Sequence, residues 1–201
     1  MNIRIHPSGF RIAMTTDELE SLLEGAEETD VLELKGAMPW DIGLAKDILA
    51  MANLQDGGRI VIGIEDITYA RQGLDEAQLA TYKSDEMRDQ VAPFADPYVE
   101  FSTSVATDRQ GLRYVVIAVA PFREIPVICK RSGGSKNELQ EGTIYYRSPT
   151  RRPQSARVSS ASDMRSIVEV AAARQMQRFR KLDLEVPTAK GFDYDAELGG
   201  L

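Results

Sequence analysis

Two hydrophobic periods alternate along this chain. In EETDVLELKG, residues 27–36, Leu32 and Leu34 fall on one face of a two-residue repeat and Val31, Glu33 and Lys35 on the other. That is a short strand whose second face carries charge. Just upstream, TTDELESLLEG from Thr15 has the spacing of an amphipathic helix, with Thr15 and Glu18 placed for a capping box and Gly25 for the C-terminal cap. Downstream, DIGLAKDILAMANLQDGG predicts a helix from about Asp41 with Ile42, Ala45, Ile48, Leu49 and Ala52 on its buried stripe, ended by Gly57-Gly58. RIVIGI, residues 59–64, is apolar at consecutive positions, as in a strand covered on both faces. Gly63 inside it marks a close approach by another backbone or a ligand.

The second half reads mainly as strands. One helix is expected from Asp75 to about Ala92, before Pro93. YVEFSTSVAT and LRYVVIAVA then flank DRQG as a hairpin, and IPVICK and TIYYRS follow, separated by the polar loop RSGGSKNELQEG. TRRPQSARVSS reads as a linker or arm. SDMRSIVEVAAARQMQRFRKL is a helix capped by Ser162 or Asp163, with Met164, Ile167, Val168, Ala171 and Met176 in an apolar stripe beside arginines. The expected architecture is α+β: a mixed β-sheet flanked by helices over residues 1–160, a C-terminal amphipathic helix over 161–182, and an acidic, mobile tail over 183–201.

Composition narrows the chemistry. Cys129 is the single cysteine, so no disulfide framework and no Cys/His zinc site is expected. No signal peptide and no run of transmembrane length is visible, which predicts a cytoplasmic protein with no membrane partner. The net charge of −7 is unevenly spread. Residues 1–122 carry ten Lys and Arg against twenty-one Asp and Glu, residues 123–181 thirteen against five, and residues 182–201 one against five. A basic block of this kind suits a nucleic-acid partner, and it equally suits a solvated Arg-rich helix and loop.

Glu28 and Glu33 lie around the first strand, Lys35 shares a strand face with Glu33, and RIVIGIED delivers Glu65 and Asp66 at a strand's C-terminal end. The five-residue spacing forbids Glu28 and Glu33 from pointing one way along an unbroken strand. They converge only if Glu28 sits on a turn or helix end, with Thr29-Asp30 bending the chain. Should Glu28, Glu33 and Asp66 meet, their mutual repulsion would be offset by Mg²⁺ or Mn²⁺, and such an ion can activate water for phosphodiester attack. Lys35 could then stabilise the pentavalent phosphate. His6 is the only histidine, so a His–His acid/base pair is impossible. The competing reading of these charges is solvated surface at strand ends.

Glu28-Thr-Asp-Val-Leu-Glu33-Leu-Lys35, then ILAMANLQDGGRIVIGIED (48–66), then EGTIYYR (141–147), resemble the AlbA-like domain of the Schlafen family, also called the divergent AAA domain. Its members show a Glu, four residues, then Glu-Phe-Lys. A helix follows, ending Ala-Phe-Ala-Asn-Thr-x-Gly-Gly, then a strand ending Ile-Gly-Val-Asp-Asp, and later Tyr-x-Arg. The resemblance runs over about residues 15–160, and Leu34, Met51, Leu54 and Glu65 depart from the pattern. It implies that Glu28, Glu33 and Asp66 form a divalent-metal site, Mg²⁺ or Mn²⁺, with Lys35 contributing, for cleavage of structured RNA such as transfer RNA. Two such lobes clasp nucleic acid in eukaryotic members, which implies a homodimer here through helix 162–181 or a sheet edge. Arg147, Arg151, Arg152 and Arg157 would line the groove and contact phosphates. The alternatives are a non-catalytic DNA- or RNA-binding module or regulator, and an interaction protein dimerising through its C-terminal helix.

Overall fold

A computed structural model describes residues 14–24, 28–65, 67–149 and 153–182. His6, Gly25, Asp66, Arg151, Arg152 and the 183–201 tail lie outside the described residues. Helix α1 (Thr16–Glu24) precedes strand β1 (Leu32–Lys35). Its capping box is in place: Glu18 accepts from the Thr15 amide at 2.8 Å, and the Glu18 amide donates to the Thr15 hydroxyl at 3.2 Å. A 3₁₀ turn capped by Asp41 leads into α2 (Ala45–Ala52), which crosses over to β2 (Gly58–Ile62), parallel to β1. Two short helices follow, α3 (Glu76–Leu79) and α4 (Ser84–Val91), where the pattern predicted one. The break falls at Thr81, whose hydroxyl bonds the Gln78 carbonyl and which hands the chain to a tight turn.

The dipeptide β3 (Ala95–Asp96) pairs with β6 (Ile128–Cys129), and β4 (Phe101–Thr107) with β5 (Arg113–Val119) across the expected hairpin. Strand β7 (Tyr145–Arg147) pairs with β8 (Ser155–Arg157), so the segment read as a linker contains a strand, one too short to show in the pattern. The chain of described residues ends in α5 (Ala161–Lys181), capped by Ser160 rather than by Ser162 or Asp163. The main sheet runs β1-β2-β5-β4, one parallel and two antiparallel contacts, in agreement with the mixed sheet flanked by helices.

One face of this sheet, with Ile60, Ile62, Val115, Ile117 and Val119, packs against α2, α4 and β7; the other, with Leu34, Val61, Tyr114 and Val116, packs against α1. Burial of each of the Leu, Ile and Val side chains among them contributes about 1.5–3 kcal/mol. Gly57 enters β2 at φ 74°, where an added Cβ would stand 2.1 Å from the Val119 carbonyl oxygen. Only glycine fits there. Gly63 meets the Leu74 and Tyr114 side chains and the Gly73 backbone, the close approach its position announced. Asn53 ends α2 and ties three segments together, donating to the Leu49, Val127 and Tyr145 carbonyls and accepting from the Val127 amide at 2.7 Å.

On the α1 side, Glu20 accepts from the Arg109 amide at 2.7 Å and from Arg71, and Asp108 accepts from the Gln110 and Leu112 amides and the Tyr114 hydroxyl. The Arg109 amide and Arg71 hold the Glu20 carboxyl below its ordinary range. For Asp108, burial works upward, but the Leu112 amide, Tyr114 and Arg71 outweigh it and the result is also downward. An acid held low in the folded state contributes stability above its unfolded pKa, about 4, and loses that contribution as pH falls. Amide exchange, corrected for intrinsic rates, should therefore show α1 losing protection before β2 and β5 between pH 5 and pH 3; equal loss in all three would contradict this.

Among the described residues no helix is long and apolar enough to cross a membrane.

Candidate functional site

The charged face of β1 is not a wet edge. Leu34 and its neighbour Leu32 turn toward α1, so the two-residue repeat sends Glu33 and Lys35 to the α2 side. There Glu33 is buried between two cations: one carboxylate oxygen meets Lys35 Nζ and the other meets Arg147 Nη1. Arg147 is itself 0% exposed. Its Nε donates to the Asp30 carbonyl at 2.9 Å, and Nη2 to the Thr29 and Leu32 carbonyls at 2.7 and 3.2 Å. One guanidinium thus holds the whole bend that leads into β1.

That bend is the turn Glu28 requires. Thr29 and Leu32 exchange backbone hydrogen bonds at 3.1 and 3.3 Å, reversing the chain within four residues. Glu28 then reaches back, accepting from the Leu34 amide at 3.4 Å, and its carboxyl is pushed up by burial and by the Glu33 charge. The structure therefore brings Glu28, Glu33 and Lys35 together. The Gly63 and Ile64 amides bond the Lys35 carbonyl, so the chain leaves β2 beside Lys35; Asp66, two residues further, lies outside the described residues.

Asp47 joins this cluster without having been expected. It projects from the first turn of α2, and its carboxylate lies 3.9 Å from Lys35 Nζ. Burial and the Glu33 charge push its carboxyl up, while the Ser155 hydroxyl supplies a partial offset. Burial alone would lower the Lys35 pKa, but Asp47, Glu33 and Glu28 outweigh it and hold the ammonium protonated. The sequence did contain a signal. Leu44, Asp47, Ile48 and Met51 have i, i+3, i+4, i+7 spacing, which sets one carboxylate into a buried stripe.

The arginines expected at phosphates divide. Arg147 has no surface to offer, being spent on the β1 bend; Arg157, at the end of β8, is exposed; Arg151 and Arg152 lie outside the described residues. Trp40 is half-buried, edge-on to Tyr82 and donating to Gln90, so it packs rather than presents a stacking face. Among the described residues, no group of three or more His, Cys, Asp or Glu side chains stands ready to hold a metal.

The family model described as Schlafen, AlbA_2 matches residues 28–154, from the first glutamate of the cluster to the residue before Ser155. The chain belongs to the Schlafen AlbA_2 family. Two solved structures are similar to this Schlafen AlbA_2 protein. The DIP2311 protein from Corynebacterium diphtheriae is 18% identical, with 75% of this chain and 27% of that chain covered and a TM-score of 0.47. The N-terminal domain of a RecG-related protein from Nitrosomonas europaea is 20% identical, with 59% of this chain and 81% of that chain covered and a TM-score of 0.40. This chain thus spans little more than a quarter of DIP2311. No match is found among curated proteins.

Proposed function

We propose that this Schlafen AlbA_2 protein binds nucleic acid as a homodimer, and that Glu28 and Glu33, with Asp66, hold Mg²⁺ or Mn²⁺ for phosphodiester cleavage in structured RNA. The observation that carries this reading is the β1 bend, which sets Glu28 against Glu33 beside a protonated Lys35. All of these carboxylates are hard oxygen donors of the kind both ions take. Glu33 is already paired with Lys35 and Arg147, so a divalent ion would take the oxygen that Lys35 now meets, and Lys35 would retain Asp47, 3.9 Å away, as its partner. On those terms Glu28 and Glu33 would supply two of the ligands, and Asp66, outside the described residues, would be the third. A bound divalent ion would supply an activated water and neutralise charge developing on the phosphate. Lys35 would hold its ammonium toward the same phosphate, Arg147 would keep Glu33 and the bend in place, and Arg157, with Arg151 and Arg152, would contact flanking phosphates.

One observation favours a second reading, binding without cleavage. Both Glu33 oxygens are held by protein cations, a closed arrangement that needs no metal. The deciding experiment incubates the protein with transfer RNA and with single- and double-stranded DNA, with Mn²⁺ and with EDTA. Binding is followed from 50 to 200 mM salt. Cleavage with Mn²⁺ alone supports the first reading. Salt-sensitive binding with no product supports the second, and absence of both rejects nucleic-acid association.

A further inference from the structure

Beyond Gly63 the chain leaves β2 in a tight loop closed on itself. The Glu65 amide donates to the Ala70 carbonyl at 3.0 Å and the Tyr69 amide to the Glu65 carbonyl at 2.9 Å. The Thr68 amide and hydroxyl both donate to the Glu65 carboxylate at 2.6 Å. At its base Ile64 pairs with Arg71, the Gly63 and Ile64 amides bond the Lys35 carbonyl, and the Gln72 side chain accepts from the Ala37 amide at 2.7 Å. The loop is a fixed projection rooted beside Lys35. Two features of its tip run against folding preference. Ile67 is 81% exposed, the most of any large hydrophobic residue described; the next, Met176, is 56% exposed. Tyr69, also exposed, holds φ at 56°, in the left-handed region. Turns give such a position to Gly or Asn, because a Cβ there crowds the following carbonyl oxygen. A bulky aromatic residue in that conformation is an outlier, and outliers of this kind cluster where a side chain is used.

We propose that this tip contacts nucleobases: the Tyr69 ring stacks on a base of the bound strand, and Ile67 packs against the base beside it. The proposal deepens the reading above and rests on its nucleic-acid-binding part, not on cleavage. Three observations select a base. The first is place. Ile67 lies three residues beyond Ile64, whose amide bonds the Lys35 carbonyl, so at most about 11 Å of chain separates the tip from the strand that carries Lys35. A strand whose phosphate meets the Lys35 ammonium carries its neighbouring bases past Ile67 and Tyr69. The second is charge. Ile-Thr-Tyr-Ala, residues 67–70, holds no charged side chain and so offers nothing to a phosphate, whereas an aromatic ring and an aliphatic wedge are the groups that stack on and insert between bases. The third is area. Two side chains fall far short of the roughly 800 Å² per partner that a stable protein interface buries, while one ring is enough for one base.

The test measures the affinity of the full-length chain for transfer RNA from 50 to 200 mM salt, in EDTA so that the strand stays intact. Tyr69→Gly should bind roughly tenfold to a hundredfold more weakly, and Ile67→Ser severalfold more weakly. Both should keep the wild-type dependence on salt, because no phosphate contact is lost. Tyr69→Phe, which keeps the ring, should bind like wild type. Melting separates use from architecture. Tyr69→Gly relieves the left-handed strain, so its Tm should equal that of wild type or exceed it by up to about 4 °C, and exposed Ile67→Ser should leave Tm unchanged. Undiminished binding by Tyr69→Gly overturns the proposal and leaves the binding reading intact. A changed salt dependence, a Tyr69→Phe variant as weak as Tyr69→Gly, or a lowered Tm in Tyr69→Gly also overturns it, since the tip would then act on phosphates, through the hydroxyl, or as a brace for the loop. A wild type that binds no RNA at any of these salt concentrations removes the binding reading and this proposal with it.

Discussion

Arg147→Met is expected to lower the unfolding free energy by about 3–5 kcal/mol, the largest stability loss of any single side-chain truncation near the site. The substitution keeps much of the side chain's volume and removes every donor. Glu33 would then stay buried with Lys35 as its only cation, and the carbonyls of Thr29, Asp30 and Leu32 would lose the guanidinium that pairs them. A domain of this size is stable by about 5–15 kcal/mol, so a loss of this order consumes much of the margin. The companion is Glu33→Leu combined with Arg147→Met, which removes both charges and should recover part of the loss, because neither partner is left uncompensated. Urea unfolding of wild type, both single variants and the double variant measures the coupling. A loss below about 1 kcal/mol for Arg147→Met would mean that the β1 bend holds itself.

The same arginine shows how far the sequence could be read. The alternation in VLELK correctly separates Leu32 and Leu34 from Glu33 and Lys35, because a two-residue period needs no tertiary information. The requirement that Thr29-Asp30 bend the chain also follows from local geometry alone, and the structure meets it. What lies across the charged face depends on contacts more than a hundred residues apart. Arg147 and Ser155 form the last rung of β7–β8, and β8 spans only three residues. An arginine bound for the core and one bound for a phosphate look alike in a basic segment. Asp47 was hidden differently: its helix was legible, yet its carboxylate falls among apolar stripe positions, where Lys35 and Ser155 make burial tolerable. The split between α3 and α4 was invisible because residues 75–92 keep helical composition across the break.

Glu28→Gln is expected to cut Mn²⁺-dependent cleavage at least a hundredfold while leaving the fold untouched, and it separates chemistry from architecture where Glu33 cannot. Glu33→Ala would strand Arg147 in the interior, so lost activity in that variant would say nothing about metal ligation. Glu28 is half-buried, and its one backbone bond, to Leu34, can be accepted equally by an amide oxygen. Its charged form is disfavoured by burial and by Glu33, so a neutral side chain of the same size relieves repulsion and should leave apo stability equal or slightly higher. Binding must show the opposite. An ion at a hundred times its Kd stabilises the native state by about 2.7 kcal/mol, and removing one ligand carboxylate should erase most of that gain. Thermal melts of wild type and Glu28→Gln, each with Mn²⁺ and with EDTA, read this without any nucleic acid. Equal stabilisation of both proteins by Mn²⁺, or full cleavage by the glutamine variant, would take Glu28 out of the metal site and leave the cluster as a charge-neutralised brace for β1.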